Sequence, residues 1–353
     1  MNKKIIAIAI ASAMAAPVAM ADISVSGQMG GALVSTDVKT SDPFSGTTRP
    51  IVEAGYSKLQ FDMTSGGSGY ARGGLSLKDG FSGGAPTLRE TYFGVKGDWG
   101  TFQLGRMASA LKNVEKDPYI STFLQMRGTA AIAGDATEIG GFVNGLVQYA
   151  GDLGPVKLTV QLNPMEGIGD LPSNTGQSTS GHLEGMTAVK VEGKAGPVNV
   201  YAAMADWETW TCTTDEVAPQ IGVTFGSAAT QCVTPQVATK NSSMKIGASM
   251  KFGSVKASVQ MANQEAGTQD TDQIMLMADM GLGNGLSVNV ALGDTEITNG
   301  AAKTEGTYTR VALTKNISKG TAVFGGLTTN EVKVIGGATV ETSQMGVGLQ
   351  VKF

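Results

Sequence analysis

The stretch "QMGVGLQVKF", residues 344–353, carries Met345, Val347, Leu349, Val351 and Phe353 at every second position. Between them stand Gln344, Gly346, Gly348, Gln350 and Lys352, all small or polar. A side-chain period of two is the mark of a β-strand with one apolar and one wet face. Such a strand fits a soluble sheet packed on a core. It fits equally the wall of a barrel with lipid on one side and a water-filled lumen on the other. The rest of the chain has to decide between them.

The same alternation recurs throughout. Ile23, Val25, Gly27, Met29, Gly31 and Leu33 oppose Ser24, Ser26, Gln28 and Gly30; Leu59, Phe61 and Met63 oppose Lys58, Gln60 and Asp62. Val156 to Leu162, Met244 to Phe252 and Leu286 to Leu292 follow suit, in strands of about ten residues, the length that crosses a bilayer when tilted. About sixteen such strands are expected from the pattern. No amphipathic helix is available to cover the apolar faces, as a soluble sheet of this size would require. The expected fold class is therefore all-β: a transmembrane antiparallel up-and-down barrel, wide enough to leave an aqueous channel. In "QIMLMADM" (273–280) both faces read as apolar, against the pattern.

The opening, "MNKKIIAIAIASAMAAPVAMA", has Lys3 and Lys4, an apolar run and a small-residue end at Ala19, Met20 and Ala21. This reads as a secretory signal over 1–21, leaving one barrel domain over 22–353. With Lys3 and Lys4 removed, 24 cations face 30 carboxylates, a formal charge of −6, which gives no reason to expect nucleic acid as a partner. No later apolar run approaches the roughly eighteen residues of a spanning helix. The 49 glycines follow no three-residue repeat, which excludes collagen.

The connections alternate in length. Tight glycine turns occupy 65–69, 97–100, 151–154, 193–196, 253–254, 281–285 and 316–320; long polar stretches occupy 37–51, 79–86, 107–141, 164–183, 206–242, 263–272, 294–305 and 330–342. Short turns at one end and long loops at the other are the layout of outer-membrane barrels. Cys212 and Cys232 lie in one polar segment, where an oxidising envelope favours a local disulfide over two free thiols.

Over its mature length the sequence resembles the general porins of the Gram-negative outer membrane, trimeric sixteen-stranded diffusion channels. "YARGGLSL" (70–77), "RETYFGVKGDWGTFQLGRM" (89–107) and the terminal alternation ending in Phe353 carry the likeness. The resemblance implies an inward-folded third loop over about 107–141, whose acids face a basic ladder on the wall. It assigns Arg89 to the wall, where strand parity also points Arg72 and Lys58, and Glu115, Asp117, Asp135 and Glu138 to the loop, with Arg106, Tyr119 and Arg127 as possible loop contacts. It also implies a homotrimer in outer-membrane lipid and lipopolysaccharide, no cofactor or metal, and a C-terminal strand read by the barrel-assembly machinery at Phe353. Opposed charge rows across a narrow wet gap order water and favour small hydrophilic solutes. "GGFVNGLVQY" (140–149) lacks the further arginine often found there, so the thinner ladder and the net charge of −6 give an expectation of weak cation preference.

Other functions fit less well. Nucleophilic catalysis usually needs a base, most often histidine, and the single histidine, His182, falls in a stretch read as an external loop. A sugar, carboxylate or phosphate channel would line its path with an aromatic slide or a basic cluster. Trp207 and Trp210 read as loop residues, and Tyr119 and Phe123 either touch solutes or wedge the loop against the wall. A surface adhesin or structural barrel is favoured only by the long loop that holds the cysteines.

Overall fold

The computed structural model describes residues 22–40, 46–47, 51–54, 57–65, 67–77, 86–114, 117–119, 122–126, 142–164, 181–212, 215–217, 230–232 and 235–353. The expected leader, 1–21, and the site candidates Glu115, Arg127, Asp135 and Glu138 lie outside the described residues, as do the side chains of Cys212 and Cys232.

Strand β1 (Asp22–Thr40) is answered by β2, which runs antiparallel to it in three pieces, Gly46–Thr47, Ile51–Ala54 and Lys58–Thr64. There follow β3 (Gly69–Ser76), β4 (Thr87–Gly97), β5 (Gly100–Ala108) and a single helical turn, α1 (Ala110–Val114). Next come β6 (Phe142–Leu153), β7 (Val156–Leu162), β8 (Gly181–Ala195), β9 (Val198–Cys212), β10 (Pro235–Phe252) and β11 (Val255–Ala266). The last strands are β12 (Gln269–Gly283), β13 (Leu286–Asn299), β14 (Ala302–Ser318), β15 (Thr321–Val334) and β16 (Thr339–Lys352). Each pairs antiparallel with its neighbour, and β16 returns to β1 in a register running from Gln28↔Lys352 to Thr40↔Val340. The result is a closed barrel of 16 strands with an added two-stranded hairpin, Asp215–Val217 with Thr230–Cys232, between β9 and β10. Closure leaves no open sheet edge, the condition for a β-structure to sit in hydrocarbon.

The quoted segment faces as its alternation requires. Met345, Val347, Leu349, Val351 and Phe353 all point outward and are exposed on the isolated barrel. Leu33, Phe61, Phe93, Met204, Ile246, Leu276, Leu292, Leu313 and Leu327 continue this belt around the circumference. Gln28, Gln60, Gln103, Gln161, Gln260, Asn289 and Thr328 point the other way. Opposite the belt is thus a polar interior.

The turns at one end are as short as expected; several use positive-φ glycines, as at Gly196 (φ 61) and Gly253 (φ 59), a conformation only glycine adopts without strain. The other end differs. Polar stretches 263–272 and 294–305, read as loops, are continuous strand around the two-residue turns at 267–268 and 300–301. Similarly, β9 runs on to Cys212 and β15 to Val334, so Trp207, Trp210 and His182 lie on strands; His182 pairs with Trp210. The reason is length: β10, at 18 residues, and β14, at 17, run well past the roughly 9–11 residues a tilted strand needs to span hydrocarbon. Beyond the belt the outward positions turn acidic, with Asp206, Glu208, Glu265, Asp270, Asp272, Asp294, Glu296, Glu305, Glu331 and Glu341 on that face. Polarity there marks strand above the membrane and not loop, which is why the sequence pattern alone misplaces these boundaries.

Candidate pore constriction

What fills the barrel is the connection between β5 and β6. Ser109 begins it, its Oγ accepting from Lys112 N (3.1 Å) as an N-cap for α1. Gln161 on β7 holds the same point: its Oε1 accepts from Ala110 N (2.7 Å) and its Nε2 donates to Ala108 O (2.9 Å) and Gln148 Oε1 (2.7 Å). Leu111 and Val114 of α1 pack on Val143, Leu146, Met186, Ala203, Ala205 and Trp207, an apolar cluster inside the lumen. Fully burying one such side chain contributes about 1.5–3 kcal/mol. Trp207 therefore belongs to the loop's seat on the wall.

Further along, the loop crosses to the opposite wall. Tyr119, Phe123 and Leu124 pack against Ala32, Val34, Ala312 and Phe324, and Tyr119 Oη lies 2.8 Å from Thr314 Oγ1. The wall is hollowed to receive them: a side chain at Gly346 would meet the Phe123 ring at 3.0 Å, and one at Gly326 would meet Leu124 at 3.1 Å. Met126 lies on Met275, Met277, Ala291 and Tyr308. This explains "QIMLMADM": its second apolar face is covered by the loop rather than by lipid.

Asp117 and Arg310 lock the seat. Both side chains are 0% exposed, with Arg310 Nη1 2.7 Å from Asp117 Oδ1. Asp117 also accepts from Tyr119 N (3.1 Å) and Met126 N (2.8 Å), closing the segment on itself. Arg310 donates to Leu124 O (2.6 Å) and, through Nε, to Asn289 Oδ1 (2.8 Å); its guanidinium lies 4.7 Å from the centre of the Tyr119 ring. Removing one member of such a buried pair typically costs about 3–5 kcal/mol. Asp117, expected to face the basic wall across the gap, is turned to the opposite wall and consumed there.

The described loop residues seat along β8–β10 and on β12–β16 and β1, while the wall of β2–β4 carries a charged row. Lys58, Gln60, Asp62 and Arg72 form a hydrogen-bonded row there: Lys58 Nζ to Gln60 Oε1 (3.4 Å), Gln60 Nε2 to Asp62 Oδ2 (2.6 Å), Arg72 Nε to Asp62 Oδ1 (2.5 Å). Arg72 also lies over the Tyr92 ring, 5.7 Å from its centre. A bulge between β3 and β4 turns both Arg89 and Glu90 inward, 3.9 Å apart. Arg89 and Lys112 of α1 stack on one ring, Phe142, at 4.7 and 4.8 Å from its centre. Arg106 pairs with Thr91 across the ladder and donates to Asn144 Oδ1 (2.7 Å) at the loop's root.

Of the named candidates, Lys58, Arg72 and Arg89 thus come together, Tyr119 and Asp117 belong to the loop's anchor, and Arg106 stands at its base. Sequence reasoning missed Arg310, Asp62, Glu90, Lys112 and Phe142. Arg310 and Asp62 were within reach, since each sits at a lumen position of an alternating strand. Lys112 and Phe142 meet only because the loop folds in, which no local pattern records.

A closed barrel with an apolar exterior, a polar interior and an inward loop defines an outer-membrane channel. The family model for Gram-negative porins matches residues 7–334, and the chain belongs to that family. Solved structures agree in fold. The anion-selective porin from Comamonas acidovorans is 18% identical, with a TM-score of 0.68 over 94% of this chain and 100% of that one. OmpT of Vibrio cholerae in its trimer form is 14% identical, with a TM-score of 0.64 over 94% and 99%. DcaP, an outer-membrane channel of Acinetobacter baumannii, is 13% identical, with a TM-score of 0.61 over 94% and 97%. No curated protein matches the sequence.

Proposed function

We propose that the chain, after removal of residues 1–21, forms a water-filled channel for passive diffusion of small hydrophilic solutes and ions, with three copies in a homotrimer. The observation that carries this reading is the pairing of a polar lumen with a loop whose described residues fold into it. The trimer form recorded for OmpT supports the assembly. Outer-membrane lipid and lipopolysaccharide are the surroundings such a belt requires, and the outermost acidic rim would stand at the level of the polar headgroups.

Selectivity follows the wall rather than the net charge. The expectation of weak cation preference drew on −6 over the mature chain, but ten of the carboxylates lie on the outer face above the apolar belt. They are separated from the solute path by the barrel wall and screened by salt beyond roughly 8–10 Å. Lys58, Arg72, Arg89 and Lys112 stand at the constriction with Asp62 and Glu90 among them. Low-dielectric walls focus the field of that row on the solute path, so its balance, rather than the outer rim, sets ion preference. Single-channel recording from refolded protein under a salt gradient tests both levels. Three equal conductance steps are expected, with a reversal potential that moves when Arg72 and Arg89 are replaced; absence of current overturns the channel, and a reversal potential that does not move overturns the role of the wall.

A further inference from the structure

We infer that Arg310, which stands behind the loop and away from the open β2–β4 wall, is the positioning residue that sets the width of the channel. The inference rests on the channel reading above. Its basis is the way one guanidinium gathers the loop. Arg310 reaches the carboxylate of Asp117 and the carbonyl of Leu124, residues seven apart on the loop, while Asn289 on the neighbouring strand holds its Nε. Asp117 in turn binds the backbone of Tyr119 and Met126, so the described residues of this segment are drawn around a single charge. Tyr308 adds a second donor to Leu124 O (2.9 Å), and Asn289 donates to Asp279 Oδ1 (2.5 Å), extending the polar chain into the wall.

The seat has a second component that needs no charge. Tyr119, Phe123, Leu124 and Met126 fill the hollow in β1 and β12–β16 by apolar contact. The two components make different demands. Neutralising Arg310 alone leaves Asp117 as an uncompensated carboxylate in a site closed to water, and the loop must move to hydrate it. Neutralising both leaves the apolar contact intact and no charge to hydrate. The loop position, and with it the gap to Arg72 and Arg89, therefore depends on the balance of the pair rather than on either residue's contact with solute.

The test uses the full mature chain refolded into bilayers, comparing parent, Arg310→Met, Asp117→Asn and the double variant, each accepted only when it shows the heat-sensitive migration of a folded barrel. Single-channel amplitude and liposome swelling with sugars of increasing size are read. Arg310→Met is expected to change the main amplitude by about twofold and to add sub-levels absent from the parent, because the loop governs the narrowest section. The swelling cutoff should move with it. Asp117→Asn should do the same, and the double variant should lie closer to the parent than either single one. Parent-like amplitude, noise and swelling in folded Arg310→Met overturn the inference while leaving the channel reading intact. A strictly additive double variant overturns it as well. If Arg310→Met does not fold, Asp117→Asn and the double variant carry the same comparison. A parent without current defeats the channel reading itself.

Discussion

Arg72 meets Asp62 across the β2–β3 ladder, Nε to Oδ1 at 2.5 Å, so the arginine facing the lumen is held by a carboxylate from the neighbouring strand. Removing Arg72 therefore deletes one positive charge and also releases one negative charge. Arg72→Ala combined with Arg89→Ala should move the reversal potential clearly toward cations, and Asp62→Asn should move it toward anions. The shift should shrink between 0.1 and 1 M salt, where the screening length falls from about 10 to 3 Å. An unmoved reversal potential in the double alanine variant removes both arginines from the constriction.

Gln161 offers a test of the loop's root. Replacing it with Leu strips partners from Ala110 N and Ala108 O, both buried, at about 1–3 kcal/mol for each unsatisfied group. The urea midpoint for loss of heat-sensitive migration should fall, and α1 should become a protease target. Retention of parent-like protease resistance would show that α1 is held by its apolar face alone.

Phe123 lies 6.4 Å from Phe324, ring centre to ring centre, with an interplanar angle of 28°. Phe123→Ala should cost about 3–5 kcal/mol of seat stability, a typical figure for an aromatic deleted from a core. Hydrogen exchange should rise at Tyr119–Met126 while β14–β16 keep their protection. Unchanged exchange across the loop would assign its order to the Asp117–Arg310 pair alone.

Phe353 exchanges both backbone hydrogen bonds with Gly27 (2.9 and 3.1 Å) and lays its ring over that glycine. Truncating it to Ala keeps the backbone pairing and removes the aromatic signal that the resemblance ascribes to the assembly machinery. Folded yield in the outer membrane should drop several-fold while refolding in detergent proceeds as in the parent. Equal losses in both settings would make Phe353 a stability residue instead.

The barrel was legible because lipid and water divide its strands residue by residue, and a period of two recurs in nearly every strand even where a bulge shifts it locally. Boundaries at the loop end were not: once a strand leaves hydrocarbon, its outward positions carry Asp270, Asp294 or Glu331, and polarity no longer separates strand from loop. Arg72 and Lys58 could be placed by parity alone, whereas Arg89 needed the resemblance, because a bulge reverses the parity of its strand there. Asp117 could not, since the loop could turn its carboxylate to either wall, and the choice was made by Arg310, nearly two hundred positions away. Trp207 was misplaced for the same cause: its partner is a helix turn from another part of the chain.

The seam between β1 and β16 joins positions as remote as Thr36 and Gln344, 308 apart. Until this contact forms, the first and last strands each leave a β-edge unmatched. Long-range pairing of this kind closes slowly and invites aggregation on the way. A barrel of this kind therefore gains from anything that covers those two edges before the seam closes.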